Sequence, residues 1–450
     1  MNPLHPHDPH LPPALREAAR SPLPPRARVA VVGAGISGLS AAYLLSQRHD
    51  VRLFEKDPRL GGHAHTHTLA HGGREWTMDS GFLVYNHRTY PNFVRLLDEL
   101  GVEGQPSDMS FSVRCRPCGL EWSSRDLNGL FAQRRRLFDP RHLWMLAEIP
   151  RFNRRALALL DRPAVEDPTL GEFLRKGGFS GGFARHFILP LVGAVWSSSA
   201  GDMSAFSARS VFRFIRNHGW LTLDPPQWWT VRGGSHRYVQ AIARRLGDRV
   251  HAGLGVLRIH REPDGVVVTT TGGETRRFDA VVMATHADQA LRLLADPSSD
   301  ERRLLGAFRY SRNRTRLHTD RSSLPATPRA WASWNMDLLD CRDASRPIGV
   351  TYHVNRLQAL PGPTTFCVSL NDPEPSPETV LAEMEYDHPV LDAAATRAQV
   401  ELRRLSGERR TFYAGAHLRH GFHEDGLMSA LKVAEAFGCR LGGAAAEEAA

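Results

Sequence analysis

Apolar runs and polar breaks near the start of the chain predict a short series of elements. Residues 29–32 (VAVV) form an apolar run typical of a buried parallel strand. Apolar residues then recur at spacings of three and four from Ile36 to Tyr43, which predicts a helix. A second run, residues 51–54 (VRLF), predicts another strand. The order strand, turn, helix, strand is that of a βαβ unit.

Later patterns predict a change of architecture along the chain. Residues 92–223 are expected to be mostly helical, with loops punctuated by proline. Strands are predicted at 256–260, 266–269 and 280–283, with a turn at Gly272 and Gly273 between the last two. Short alternating stretches at 330–370 predict an antiparallel sheet. A last strand at 410–415 and a last helix at about 426–437 follow, and no internal repeat is evident.

Length and composition indicate a globular protein of more than one domain. The chain has 450 residues, of which 42% are hydrophobic and 23% charged. It contains no apolar run of the length that spans a membrane. Residues 1–26, rich in Pro and His, lack the apolar core of a secretory signal and are predicted to be a disordered tail.

Charge and cysteine content narrow the functional classes. The net charge is +9, and the positive charge comes almost entirely from Arg. The excess of positive charge reflects either the amino-acid composition typical of the source genome or attraction to an anionic lipid surface or acidic substrate. Nucleic-acid binding is not expected, because no known recognition module is present. Five Cys at irregular spacing argue against a disulfide framework and favour a cytoplasmic location.

The turn after the first predicted strand has the glycine spacing of a dinucleotide site. Gly33 allows a tight turn, Gly35 lets a pyrophosphate approach the backbone, and Gly38 lets the helix pack on the sheet. The helix N-terminus offers free N–H groups to the phosphates. Glu55, at the tip of the second strand, can accept hydrogen bonds from ribose hydroxyls and would repel a 2′-phosphate. A turn without a ligand is the structural alternative.

Two further segments resemble a known family. Residues 59–66 (RLGGHAHT) are similar to the second glycine motif of the flavin amine oxidase and phytoene desaturase superfamily, with His63 where an Arg is usual. Residues 413–416 (YAGA) and 423–427 (HEDGL) resemble its closing motif, in which the last helix points at the flavin. Residues 79–86 (DSGFLVYN) resemble a bacterial branch described as predicted NAD/FAD-binding amine-oxidase-domain proteins.

The resemblance implies an α/β fold with a Rossmann-type, glutathione-reductase-like FAD-binding domain. An α+β substrate domain containing an antiparallel sheet is inserted in it. The implied FAD-binding segments are 27–91, 225–290 and 400–440, the substrate segments are 92–224 and 291–399, and residues 441–450 are a tail. FAD is expected to be non-covalent, since Cys367 and Cys439 do not match the position of a flavin tether. The implied cofactor-binding residues are Gly33, Ala34, Gly35, Ile36, Ser37, Gly38, Glu55, Lys56, Gly61, Gly62, His63, Gly81, Phe82, Val256, Ala284, Gly415, Asp425, Gly426 and Leu427.

The expected reaction is hydride transfer between a substrate carbon and flavin N5. Members of the bacterial branch are thought to lie beside cyclopropane-fatty-acid-synthase-like methyltransferases, which implies an acyl-lipid substrate and a desaturase-like reaction. A flavin amine or amino acid oxidase is the alternative, although Lys56, Lys176 and Lys432 are poorly placed for amine oxidation. A non-catalytic FAD-binding partner of a lipid-modifying complex is a third hypothesis. The electron acceptor, reaction direction and oligomeric state stay open.

Four polar residues beside aromatic ones are candidates for substrate contact or proton handling: Asn335, Tyr352, His318 and His420. For each, the alternative is a structural polar group. Six aromatic residues are candidates for an apolar tunnel, with core packing as the alternative: Trp196, Trp228, Trp229, Trp331, Trp334 and Tyr352.

Three local patterns bear on metals and membranes. The alternating histidines at 63, 65 and 67 have the spacing of ligands on one strand face, but no second cluster has matching spacing. Cys115 and Cys118 form a single CxxC, whereas a zinc site in sequence normally has a second pair, so no metal is expected. Two ordinary thiols in a hairpin turn and a redox-active pair are the alternatives. Residues 133–146 combine Arg with apolar side chains, which suits either a solvated helix edge or peripheral contact with an anionic membrane at its inner face.

Overall fold

The computed structural model describes residues 24, 26–163, 167–196, 200–221, 226–343, 345–346, 348–371 and 374–442. Nearly all of the tails predicted at 1–26 and 441–450 lies outside these ranges, as do the side chain of Trp196 and the boundary at 224. The division into domains therefore stays a prediction.

The strands in chain order are β1 (Arg28–Val32), β2 (Asp50–Glu55), β3 (Thr66–His71), β4 (Arg74–Asp79), β5 (Tyr85–Asn86), β6 (Gly104–Ser107), β7 (Phe111–Cys115), β8 (Leu120–Ser123), β9 (Trp228–Val231), β10 (Val250–Ala252), β11 (Val256–Glu262), β12 (Gly265–Thr270), β13 (Thr275–Phe278), β14 (Ala280–Met283), β15 (Arg309–His318), β16 (Trp334–Leu338), β17 (Gly349–His353), β18 (Cys367–Leu370), β19 (Val380–Val390) and β20 (Thr411–Tyr413).

The α-helices are α1 (Ile36–Leu45), α2 (Pro91–Leu100), α3 (Leu127–Leu130), α4 (Pro140–Asp161), α5 (Leu170–Lys176), α6 (Gly181–Phe183), α7 (Leu189–Trp196), α8 (Ala200–Ala205), α9 (Ala208–Asn217), α10 (His236–Leu246), α11 (Ala287–Leu293), α12 (Ser299–Leu305), α13 (Val354–Leu357), α14 (Ala393–Leu405) and α15 (His423–Ala436).

A parallel sheet collects strands from widely separated parts of the chain. Its order is β10-β2-β1-β14-β20, and every neighbouring pair is parallel. The first βαβ unit, the strand at 280–283 and the last strand all form as predicted. The interior strands are buried on both faces, which is why they are continuous apolar runs in the sequence.

A seven-stranded sheet forms the second layer, in the order β19-β15-β18-β17-β16-β7-β8. Its pairs are antiparallel except β16 with β7. The antiparallel sheet predicted for 330–370 is therefore present. The expectation of a mostly helical stretch at 92–223 missed β6, β7 and β8. Buried polar residues hide the alternation there: Ser112 on β7 donates a hydrogen bond to Asn335 and is inaccessible to solvent.

Two boundaries differ from the predicted ones. The turn at Gly272 and Gly273 joins β12 to β13 rather than to β14. Strand β13 was missed because its two arginines are exposed at the edge of a three-stranded sheet, so it lacks an apolar run. The last helix begins at His423, earlier than the predicted residue 426. It packs against α1, next to the glycine turn.

Candidate cofactor and substrate cavity

The glycine turn between β1 and α1 has no room for side chains at two of its positions. Gly33 has φ +99°, a left-handed conformation, and its N–H donates to the carbonyl of Phe54 at 2.8 Å. A Cβ placed on Gly38 would lie 1.8 Å from the carbonyl oxygen of Gly33. Only glycine at these positions allows α1 to begin so close to the sheet.

Gly35 differs from its two neighbours in the motif, because nothing lies within 4 Å of the position its Cβ would occupy. It is the residue before α1, and no side chain caps the helix N-terminus there. The first N–H groups of α1 therefore face the cavity together with the positive end of the helix dipole. This arrangement suits a pyrophosphate.

Glu55 lies at the end of β2 and lines the same cavity. Its carboxylate accepts a hydrogen bond from the backbone N–H of Ala34 at 2.7 Å and another from that of Asp57 at 3.1 Å. The side chain is thus fixed at the strand tip beside the glycine turn. Lys56 and Val256 line the cavity at this same end.

The second glycine pair lies directly against the first turn. Gly61 donates from its N–H to the carbonyl of Ala34 at 2.8 Å, and Gly62 faces Gly35. The guanidinium of Arg59 donates to the carbonyls of residues 60, 62 and 64 at 3.2, 2.9 and 3.2 Å. Arg59 therefore holds this loop and brings positive charge to a cavity wall on which His63 replaces the usual Arg.

Histidines form much of the wall that continues from this loop. The rings of His63 and His388 lie 5.5 Å apart, and His286 stacks on Tyr310 at 4.4 Å. Burial lowers the pKa of His63 well below its ordinary value, with a smaller contribution from His388. Burial also lowers the pKa of His388 to about 4 and that of His417 to about 3. These imidazoles are neutral near pH 7.

The histidines at 65 and 67 lie at the start of the β3–β4 hairpin and have hydrogen-bond partners in the protein. His65 Nδ1 is hydrogen-bonded to the hydroxyl of Tyr386 at 2.9 Å, and His67 Nε2 to that of Ser80 at 2.8 Å. Their rings stack at 4.1 Å. In the described residues these histidines do not belong to any group of converging metal ligands.

The closing segment lines the cavity with residues up to His423, whereas three of its four predicted residues lie just after this point. Gly415, Phe422 and His423 line it, and the His423 ring stacks on Phe82 at 3.8 Å. Asp425, Gly426 and Leu427 do not.

Their roles in this structure are to shape the start of α15. Asp425 accepts from the N–H of Phe422 at 3.0 Å, and Leu427 lies in the core. A Cβ on Gly426 would come within 2.7 Å of Ile36, so glycine allows α15 to pack on α1.

The other end of the cavity is aromatic and apolar. Trp334 on β16 meets Tyr352 on β17 edge to face at 5.1 Å, and His218 stacks on Trp228 at 5.8 Å. The side chains that line this end come from seven separate parts of the chain: Met109, Val195, Phe214, His218, Trp220, Trp228, Trp334, Tyr352 and Leu370.

The four residues proposed for substrate contact or proton handling divide into two pairs. Tyr352 and His420 line the cavity. Asn335 and His318 do not, and hydrogen bonds within the seven-stranded sheet occupy them. Asn335 donates to the carbonyls of residues 332 and 351 and accepts from Ser112 at 2.8 Å, while His318 pairs with Ser369 at 2.8 Å. Both fit the structural alternative.

Sequence reasoning missed several residues of the aromatic end and of the histidine wall. Trp229 and Trp331 were candidates but do not line the cavity, whereas Phe214, Trp220 and His218 were not candidates and do. His286, Tyr386 and His388 were missed in the same way. No local motif surrounds these residues, and only the pairing of distant strands brings them together.

The cavity joins the two ends and has a volume of about 730 Å³, within the range of small-molecule and cofactor sites. Two buried polar atoms on its wall have no hydrogen-bond partner in the described protein: His63 Nε2 and Trp334 Nε1. Buried donors and acceptors are normally paired, so these atoms point to a ligand. The open approach at Gly35 and the ordered Glu55 carboxylate fit the phosphates and ribose of a dinucleotide.

The fold and the cavity are those of a Rossmann-type dinucleotide-binding protein. The profile of flavin-containing amine oxidoreductases matches residues 36–314, more than half of the chain. The chain belongs to this family, whose cofactor is FAD. The predicted superfamily, fold class and cofactor are thereby confirmed.

Individual relatives cover a range of reactions. The chain is 30% identical over 267 residues to a protein of Mycobacterium tuberculosis named flavin-containing monoamine oxidase AofH, covering 56% of each chain. It is 29% identical to the carotenoid phi-ring synthase of Streptomyces griseus, covering 62% of this chain and 58% of that protein. The chain thus spans little more than half the length of these curated relatives.

Solved structures share the fold at low sequence identity. A fatty acid isomerase from P. acnes that produces CLA superposes with a TM-score of 0.63 at 18% identity, over 90% of this chain and 97% of that one. A putrescine oxidase superposes with a TM-score of 0.66 at 14% identity, over 91% and 98%. At these identities the similarity establishes the fold alone.

None of the helices in the described ranges combines the length and apolar character needed to cross a bilayer.

Proposed function

We propose that the chain binds FAD non-covalently along the cavity, with the adenosine ribose on Glu55 and the pyrophosphate at the N-terminus of α1. The loop held by Arg59 covers the phosphates, and the start of α15 faces the flavin ring. A helix N-terminus stabilises the negative charge that a reduced flavin carries. None of the cysteines in the described residues lines the cavity, which supports non-covalent binding.

The substrate is an acyl chain, and hydride transfer from one of its carbons is the reaction. The observation that carries this proposal is the composition of the aromatic end, where apolar side chains surround neutral His218 and the hydroxyl of Tyr352. Burial lowers the pKa of His218 to about 4. Such a surface binds a hydrocarbon and offers no charge to a polar head group.

A cationic amine would lack a counter-charge at this end. The acidic side chains that line the cavity, within the described ranges, are Glu55 and Asp57 beside β2, and Glu385 and Asp387 on β19. Strand β16, which carries Trp334, is four strands away from β19 in the sheet order, or about 19 Å at the usual strand spacing. Burying an unpaired ammonium there would cost several kcal/mol.

FAD, when bound, supplies the two-electron acceptor for the hydride. In a desaturation one C–H bond gives its hydride and the neighbouring carbon gives a proton to solvent or to a base. Tyr352 and His420 are the polar side chains at this end that the sequence suggested for contact with the substrate. The oxidant that would restore bound FAD after a desaturation is oxygen, a quinone or a redox protein, whereas an isomerisation would need none.

The names of the relatives support both an acyl and an amine substrate. The fatty acid isomerase and the carotenoid synthase are named for hydrocarbon substrates, and the putrescine oxidase and AofH for amines. The uncharged wall of the aromatic end favours the first group. A protein that binds FAD without acting on any substrate is the third hypothesis.

Anaerobic reduction of the flavin tests the proposal. The purified protein is mixed with phosphatidylglycerol vesicles that carry saturated or monounsaturated acyl chains, and separately with putrescine, benzylamine and amino acids. With a lipid substrate, we expect loss of the oxidised flavin's absorption band at about 450 nm, or a shifted double bond in the recovered lipid. Rapid bleaching by an amine without any lipid turnover would overturn the acyl proposal. A spectrum and a lipid pool that no compound changes would favour the non-catalytic hypothesis.

Exposed apolar side chains interspersed with arginines at residues 127–144, here called the exposed apolar patch, support delivery of the substrate from a membrane. Phe138 is 86% exposed, Leu127 74% and Trp144 60%. Arg134 and Arg141 are exposed within the same stretch. Aromatic and apolar side chains beside cations are typical of segments that lie in the interface of an anionic bilayer.

Vesicle binding tests this contact. Wild-type protein should sediment with phosphatidylglycerol vesicles and much less with phosphatidylcholine vesicles. The double variant Phe138→Asp/Trp144→Asp should lose that binding and keep its flavin, because both side chains are at the surface. Replacing Val400, exposed on α14, by Asp is the matched control. Equal binding of the double variant and wild type would show that the patch is an ordinary solvent-exposed surface.

A further inference from the structure

Four potential metal ligands converge outside the cofactor cavity. The thiols of Cys115, Cys118 and Cys341 and one ring nitrogen of His186 all lie within 4.8 Å of one another. No disulfide joins these cysteines. None of the four residues lines the cofactor cavity.

Two distances inside the group match the edges of a tetrahedral zinc site, and the others are at most 4.8 Å. With Zn–S about 2.3 Å and Zn–N about 2.0–2.1 Å, the edges of a tetrahedron are about 3.8 Å between two sulfurs and about 3.6 Å between sulfur and nitrogen. The Sγ atoms of Cys118 and Cys341 lie 3.5 Å apart. Cys118 Sγ lies 3.6 Å from His186 Nε2.

The fold explains how ligands so distant in sequence meet. Cys115 ends β7, and Cys118 lies in the turn before β8. The parallel pairing of β16 with β7 places Leu338 beside Cys115, so that the loop after β16 brings Cys341 to the turn.

His186 comes from a third region, the segment Ala184–Ile188, which is a turn of π-helix. Such wide turns are frequent at functional sites. The indole N–H of Trp122 on β8 donates to the carbonyl of His186 at 3.2 Å and holds this turn against the hairpin.

We propose that Cys115, Cys118, Cys341 and His186 bind one Zn²⁺ ion. Three thiolates and one imidazole complete a tetrahedron and leave no position for water or substrate, so the ion is structural. Three thiolates around Zn²⁺ carry a net charge of −1. The guanidinium of Arg136 lies nearby, donating to the carbonyls of Cys118 and Gly119 at 3.4 and 3.3 Å.

The ion adds a further link between three parts of the molecule that already contact one another: the β7–β8 hairpin, the loop after β16 and the π-turn that precedes α7. It also supports the exposed apolar patch. Arg135, Arg136 and Gln133 all donate to the carbonyl of Gly119 in the hairpin turn, and the segment they belong to leads to Phe138. Zinc therefore fixes the base of the arginine-rich segment against the seven-stranded sheet.

Metal analysis of the flavin-loaded protein tests the proposal. Protein produced in zinc-supplemented medium, and then dialysed against a chelator, should retain about one zinc per chain by mass spectrometry. X-ray absorption at the zinc edge should show three sulfur neighbours at about 2.3 Å and one nitrogen at about 2.0–2.1 Å. The variants Cys118→Ser and Cys341→Ser should lose zinc to the chelator, and the matched variant Cys439→Ser should retain it.

A second measurement on wild-type protein covers the case in which those variants fold poorly. Titration with a mercurial should release the zinc in step with modification of three thiols. A chromogenic chelator detects the zinc that is released. Zinc absent from wild-type protein even after reduction and reconstitution would overturn the proposal. So would a shell of oxygen and nitrogen alone, or a disulfide between any two of the three cysteines in protein kept under reducing conditions.

Discussion

The two ends of the cavity are built in opposite ways. At the nucleotide end, the turn from Gly33 to Gly38 and the tip of β2 present backbone N–H groups and one carboxylate, all within a short stretch of chain. At the aromatic end, side chains from seven separate parts of the chain form an uncharged wall. One end is made by backbone shape, the other by tertiary packing.

This difference determines how each end responds to change. The backbone cradle depends on Gly33 and Gly38, where the neighbouring atoms leave no volume for a side chain. A wall of aromatic side chains spreads its function over many contacts, so each one carries a smaller share. Substitutions at the two ends should therefore differ in size and in the property that they affect.

The largest effect is expected for Gly38→Ala. The new Cβ would lie 1.8 Å from the backbone oxygen of Gly33, so α1 must move away from the sheet. We expect the free energy of unfolding to fall by about 3 kcal/mol or more, the upper part of the range for overpacking. Flavin should be lost at the same time. Chemical denaturation of the flavin-free protein and its flavin content are the measurements.

Gly35→Ala is the matched control for that variant. Its Cβ meets no protein atom within 4 Å, and its φ of −71° is ordinary for alanine. The flavin-free protein should keep its stability within about 0.5 kcal/mol, whereas FAD binding should weaken. Equal loss of stability in the two variants would contradict the distinction between a packing glycine and a ligand-facing one.

The same difference explains what the sequence could predict. Glu55 and the glycines were predictable because their spacing along the chain reflects one local geometry. Trp220 and His218 were not, since no pattern in their own neighbourhood marks them. The convergence of His186 with Cys341 was hidden for the same reason: the CxxC was visible, but its partners come from separate segments and meet only through the pairing of β7 with β16.

The second largest effect concerns acid stability at the aromatic end. Burial lowers the pKa of His218 from 6.5 to about 4; a hydrogen bond to the Phe214 carbonyl opposes this, and His420 and Arg88 lower it further. The unfolded chain therefore binds one more proton than the folded one between pH 6.5 and 4. Stability should fall as the pH drops through this range, by up to about 3 kcal/mol from this group.

His218→Asn should remove that contribution, since an amide does not titrate and can still donate to the Phe214 carbonyl. Urea unfolding at pH 7, 5.5 and 4.5 measures it. His71, a partly exposed histidine on β3, provides the control through His71→Asn. If the free energy of unfolding falls equally with pH in wild type and His218→Asn, other groups dominate the acid sensitivity. The neutral character of this end would then need another explanation.

A smaller effect is expected for Glu55→Gln at the nucleotide end. The amide keeps the size of the side chain and loses the charge that strengthens a hydrogen bond to a ribose hydroxyl. FAD affinity should fall by about 2 kcal/mol, or about 30-fold. Asp50→Asn, at the other end of β2, is the control and should leave the affinity unchanged. Fluorescence titration of the flavin-free protein measures both affinities. An unchanged affinity in Glu55→Gln would show that Glu55 does not bind the ribose.

The smallest effect separates two tryptophans near the aromatic end. Trp334 Nε1 is buried without a partner on the cavity wall, whereas Trp331 Nε1 donates to the carbonyl of Pro325 at 2.8 Å outside it. Trp331→Phe should cost about 1 kcal/mol of stability, the worth of one hydrogen bond. It should not affect substrate binding. Trp334→Phe should leave stability and FAD affinity unchanged, because its indole N–H makes no hydrogen bond within the described protein. It should raise the substrate concentration needed for half-maximal flavin reduction. If Trp334→Phe instead weakened FAD binding, the flavin would be the group that accepts a hydrogen bond from the Trp334 indole. The flavin site would then extend into the aromatic end.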